Sequence, residues 1–204
     1  MLKKTSTPYV AVVVAFIGIA GPVSAQMHDR GSHEMPMTSK EPSQATAQYS
    51  APMNFKAQLQ KVYAAYFSVQ TALSRDLLQD AKKGAAEIQG ALKKVDMNLL
   101  QGKAHVRWME HSGVIGESGK AIAGAKNIDA AREEFRNLSN ALILTAREFG
   151  VFDPGPVYVL HCPMAFNKTG ADWLQKQPET ANPYFGKSMP ACGQIIETLS
   201  KGKI

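Results

Sequence analysis

The chain has 204 residues, 45% of them hydrophobic, and a formal net charge of +6 from 23 Lys and Arg against 17 Asp and Glu. These cations are spread along the chain, many of them isolated, whereas a nucleic-acid binder shows a concentrated basic stripe, so nucleic acid is not an expected partner. Beyond residue 25 no segment reaches the roughly 18 continuous apolar residues of a membrane helix, so no span is expected in the processed chain.

In chain order, Lys3 and Lys4 precede an apolar run from Val10 to Ala20, and Val23 and Ala25 place small residues around a cleavage position. This is the pattern of a secretory signal peptide covering residues 1–25. A periplasmic or secreted protein beginning at Gln26 is expected. Residues 26–52 are polar, interrupted by Pro36, Pro42 and Pro52, and have no apolar periodicity, which predicts a disordered tail. The stretch MHDRGSHEMPM gathers Met27, His28, His33, Met35 and Met37. It reads either as a chance cluster in a linker or as a flexible collector of copper, because thioethers suit Cu(I) and imidazoles suit Cu(II).

Residues 53–204 read as one helical domain. Leu59, Val62, Tyr66, Val69 and Leu73 form one apolar stripe; after a break near Asp76 to Asp80, the residues Ala81, Ala85, Ile88, Leu92 and Val95 form a second. Each spacing places the apolar side chains on one helix face. A third helix from about Lys103 to Ala123 carries Trp108, Ile115 and Ile122, and is weakened by Gly113, Gly116 and Gly119. The fourth repeats through Ile128, Ala131, Phe135, Leu138, Leu142, Thr145 and Phe149, with Asn127 as N-cap and Gly150 at its end. The simplest arrangement that buries four such stripes is an antiparallel four-helix bundle, so the expected class is all-α. VYVLHC, residues 157–162, then alternates like a strand, and residues 163–192 read as a long loop, of the kind that is functional or cross-linked.

Chemistry-bearing patterns are few. GVIGESGKA resembles a phosphate-binding loop, but five residues separate Gly113 from Gly119 where the motif has four, and Ala121 stands where Ser or Thr is required. The two cysteines lack the C-x-x-C spacing of a thiol-redox centre. His161 beside Cys162 in a strand points to the opposite face, which argues against a Cys–His nucleophile and against joint zinc ligation. His105, Met109 and His111 read as ordinary residues of the third helix. With no acid, base and nucleophile set, an enzyme is not expected.

Cys162 with Met164, and Met189 with Cys192, form two sulfur pairs. Two apart in a strand, and three apart in a helical turn, the members of each pair share a face. Folding the loop back would surround one soft ion, Cu(I) or Ag(I), with two thiols and two thioethers. In an oxidising compartment the cysteines also suit a disulfide closing about 30 residues, worth roughly 3.5 kcal/mol by chain entropy. On that reading the methionines are core filler. Trp173, Tyr184 and Phe185 read as the apolar cluster that pins the loop to the bundle.

YVLHCPMAF, GADWLQ and NPYFGKSMPACG, preceded by AAREEFRNLSNAL, make the chain similar to an uncharacterised domain. That domain is appended to periplasmic adaptor (membrane-fusion) subunits of heavy-metal efflux systems and also occurs as stand-alone exported proteins. The resemblance covers most of residues 55–196. Its most specific matches are Cys162, Pro163, Met164, Trp173, Asn182, Pro183, Tyr184, Gly186, Met189, Cys192 and Gly193, while Pro190 and Ala191 depart from its usual pair. It implies a helical bundle, an association with copper or silver handling, and an efflux adaptor as partner; it does not imply an enzyme. Two functions are therefore expected as alternatives: a Cu(I) or Ag(I) binding or delivery protein, or a metal-free, disulfide-locked module that docks on an efflux partner.

Overall fold

The structure is a computed structural model, and it describes residues 44–45 and 47–199. The expected signal peptide and the Met27, His28, His33, Met35 and Met37 cluster lie outside the described residues. In chain order the elements are β1 (Gln44–Ala45), α1 (Met53–Ser74), α2 (Leu78–Leu92), α3 (Gly102–Gly124), α4 (Ile128–Phe149), β2 (Val157–Cys162), β3 (Ala171–Gln175) and β4 (Gln194–Leu199).

The four long helices follow the predicted stripes. Leu59, Val62, Tyr66, Val69 and Leu73 of α1 are fully buried, as are Ala81, Ala85 and Ile88 of α2. Leu92 is half-buried at the end of α2, and Val95 is buried in the connection beyond it. The α1–α2 break falls at Arg75–Leu77, where Asp76 adopts a left-handed φ of 62°. Asn127 caps α4 by accepting the Ala130 N–H at 2.8 Å, and Gly150 ends it at φ 87°.

Consecutive helices pack on one another, α1 on α2, α2 on α3 and α3 on α4. Across the bundle the Tyr66 ring stacks on Phe135, and its hydroxyl bonds Ser139 at 2.8 Å. Of the α3 glycines expected to weaken that helix, Gly116 and Gly119 let it approach α2. A Cβ at Gly119 would lie 2.7 Å from Gln89 Nε2, a side chain that donates to the Gly116 carbonyl at 2.8 Å. The phosphate-loop look-alike lies inside continuous α3 and forms no loop.

The class is mixed rather than all-α. The segment read as one strand and a long loop folds into a sheet of order β1-β4-β2-β3, in which β2, β3 and β4 are antiparallel and β1 pairs parallel to β4. The reason is local. β2 buries Val157, Val159, Leu160 and Cys162, so its backbone groups, removed from water, need partners on both sides; β3 and β4 supply them. The sheet packs on α4 mainly through β3, where Trp173 and Leu174 are fully buried and the Leu174 N–H donates to the Tyr66 hydroxyl at 2.9 Å. No helix among the described residues is long and apolar enough to cross a membrane.

Candidate metal or disulfide site

Cys162 ends β2, the strand flanked by β3 and β4, and is fully buried. Cys192 is half-buried and closes a turn in which its N–H donates to the Met189 carbonyl at 3.2 Å. The fold brings their sulfurs to 2.7 Å, with both cysteines free. Burial and the adjacent Cys162 thiol push the Cys192 thiol above its ordinary range, against a smaller lowering influence of the Met164 backbone N–H.

The methionines are placed differently from the cysteines. β2 ends at Cys162, and Met164 falls in the following turn with helical φ and ψ, so the strand alternation expected to align Cys162 with Met164 does not extend that far. The Met164 side chain is 43% exposed, and Met189 is 36% exposed at the end of a short 3-10 turn. The structure thus joins the two thiols and leaves the Met164 and Met189 side chains exposed. Among the described residues no three His, Cys, Asp or Glu side chains cluster as a metal site. His161 lies on the opposite face of β2 from Cys162, as expected, with its Nδ1 2.6 Å from Asp172.

The loop carrying Cys192 is secured by buried polar side chains that sequence periodicity did not single out. Gln175, 1% exposed, donates to the carbonyls of Gln177 and Glu179 and accepts the Ala181 N–H. Gln70 of α1 donates to the Ala181 carbonyl at 2.7 Å. The available signal was a glutamine four residues after Tyr66, on the buried face of α1, where an unpaired amide would be costly. Tyr184, 6% exposed, contacts Phe135, Phe166 and Trp173, so of the expected cluster Trp173 and Tyr184 pin the loop together with Phe135 and Phe166, while Phe185 is only half-buried.

A second polar centre lies between α3 and α4. Buried His111 bonds Glu148 at 3.0 Å, and Arg107 makes paired bonds to the same carboxylate at 2.7–3.1 Å. Burial pushes the Glu148 carboxyl up, but the hydrogen bonds and charges of Arg107 and His111 outweigh it and hold the group below its usual range. His111 also lines an open groove of about 530 Å³ with Glu117, Glu134 and Leu144.

Residues 62–153 match the model of a family described as a protein of unknown function (DUF3347). The match spans most of α1 through α4 and ends before β2, so both cysteines lie beyond it. No curated protein and no solved structure matches the chain.

Proposed function

We propose that this chain is an exported soft-metal protein that binds or delivers Cu(I) or Ag(I) through Cys162 and Cys192, with Met164 and Met189 as outer donors, in association with a periplasmic adaptor of a heavy-metal efflux system. The observation that carries this reading is the 2.7 Å approach of two sulfurs thirty residues apart in sequence. Thiolate and thioether donors select soft monovalent ions over harder ones. A buried thiol on a strand and a second on a turn supply the inner donors, and the exposed Met164 and Met189, two and three residues from them in sequence, are the candidate outer ones.

Geometry sets a requirement on binding. Two metal–sulfur bonds of about 2.3 Å at a tetrahedral angle hold their sulfurs roughly 3.7 Å apart. An entering ion must therefore move the sulfurs apart by about an ångström. Cys162 lies in a strand bonded on both edges, so the shift falls on the Cys192 turn, against the hold of that turn's own hydrogen bonds.

The same short approach favours a second reading. A disulfide holds its sulfurs at about 2.05 Å, so closure needs a smaller shift in the opposite direction and yields a metal-free, locked module that docks on an efflux partner. Alkylation followed by mass spectrometry separates the two. On the metal reading, protein prepared without reductant retains both thiols, and one equivalent of Cu(I) protects both. On the disulfide reading neither thiol is alkylated before reduction.

A further inference from the structure

We infer that Asn182 is the positioning residue of the cysteine pair, fixing the Cys192 turn so that its thiol is presented to Cys162. The inference rests on the same pair as the proposed function and holds whether that pair takes an ion or closes a disulfide. Asn182 is fully buried. Its Oδ1 accepts the N–H groups of Tyr184 at 2.7 Å and Phe185 at 3.1 Å. On the other side its Nδ2 donates to the Cys192 carbonyl at 2.6 Å, and its backbone N–H donates to the Pro190 carbonyl at 3.0 Å. One carboxamide thus links two limbs of the loop.

The two limbs differ in what else holds them. Residues 183–187 are fastened to the bundle, because Arg132 Nε donates to the Pro183 carbonyl at 3.0 Å, the Lys187 N–H donates to Asp76 at 3.1 Å, and Tyr184 is packed among three rings. The other limb has no such burial: Ser188, Met189, Pro190 and Ala191 are all exposed. Cys192 itself is half-buried against the core and β4 pairs with β2 from Gln194, so the exposed stretch before it is held by the sheet on one side and by Asn182 on the other. Among the described residues one side chain besides Asn182 bonds the neighbouring backbone, Thr180 Oγ1 donating to the Gly193 carbonyl at 3.2 Å. Asn182 transfers the rigidity of the fastened limb to the free one.

The chemistry of the carboxamide gives a selective test. Asn182→Asp keeps the oxygen that accepts from Tyr184 and Phe185 but loses the donor to Cys192. Asn182→Ser is neutral, can still form a turn with the residues that follow, and is too short to reach the Cys192 carbonyl. The full exported chain, metal-free and reduced, is equilibrated with reduced and oxidised glutathione. In this exchange two protein thiols and one glutathione disulfide give the protein disulfide and two glutathione thiols. Acid quenching and alkylation then yield the effective concentration of one cysteine at the other.

Both variants are expected to lower that concentration about tenfold or more, the effect of losing a buried hydrogen bond and stranding its acceptor, while the reduced protein keeps a cooperative unfolding transition. Thr180→Val is expected to change it less. An effective concentration within about twofold of wild type in a variant that unfolds cooperatively overturns the inference. Loss of cooperative unfolding in both variants also overturns it, by making Asn182 a residue of the fold as a whole. A wild-type chain that fails to bind Cu(I) counts against the metal reading alone, since the thiol exchange needs no metal.

Discussion

Arg132 on α4 holds Asp76, the left-handed residue between α1 and α2, through a bond of 2.6 Å, and Asp76 in turn accepts the Lys187 N–H at 3.1 Å. The helix junction and the cysteine-bearing loop are thereby fastened at one point. Gly186 completes the contact, because a Cβ there would overlap the Asp76 carboxylate. Asp76→Ala should lower stability by about 1–3 kcal/mol, through lost hydrogen bonds and a left-handed alanine, and should expose residues 182–193 to limited proteolysis. Asp76→Asn should cost less, because asparagine tolerates that backbone and keeps an acceptor. Equal losses in the two variants would count against this account.

The Arg107–Glu148–His111 cluster predicts a pH-dependent difference. Because the Glu148 carboxyl is held below its usual range, its contribution to stability is present above the unfolded-state value of about 4.3 and is lost as pH falls through the folded value. Glu148→Gln should therefore destabilise the protein at neutral pH by about 2 kcal/mol or more. The gap from wild type should narrow below about pH 4. Denaturant melts of both proteins at neutral and acidic pH measure it; a constant gap would assign the loss to packing.

Two helical glycines should respond in opposite directions to alanine. A Cβ at Gly84 would sit 2.9 Å from Val69 Cγ2 and 3.1 Å from the Val69 backbone nitrogen, whereas nothing lies within 4 Å of one at Gly113. Gly113→Ala should stabilise by up to about 1 kcal/mol through helix propensity. Gly84→Ala should destabilise by about 1–2 kcal/mol, because overpacking between α1 and α2 exceeds the same propensity gain. Thermal unfolding of the two variants side by side is the check.

These cases show what was legible in the sequence. The α1 and α4 stripes were read correctly because a buried helix face repeats every three to four residues and few polar residues interrupt it. The sheet was missed because β3 spreads its strand signal over five residues that include Asp172 and Gln175, and because β4 exposes Ile195 and Ile196. Neither shows the alternation that marks a half-buried strand. The cysteine pair was legible only as two alternatives, since spacing cannot specify how a thirty-residue segment folds back. The placement of the methionines was not legible, because it depends on β2 ending at Cys162.

Metal affinity should depend on pH with a defined sign. Since the Cys192 thiol lies above its ordinary range, a binding ion must displace its proton, and apparent Cu(I) affinity should rise with pH through neutrality. The increase should approach about tenfold per pH unit for each thiol proton released. A competition titration at several pH values measures the slope. A flat profile would show that the cysteines do not ligate as thiolates.

The most direct measurement is a Cu(I) titration of the reduced chain against a chromophoric chelator, run beside the Cys162→Ser, Cys192→Ser double variant. Donors outside the pair, including those of residues 26–43, are common to both proteins and cancel in the comparison. The account predicts that wild type holds one more tightly bound Cu(I) per chain than the double variant, while both unfold cooperatively. Superimposable titration curves would contradict it and leave Cys162 and Cys192 as a structural pair.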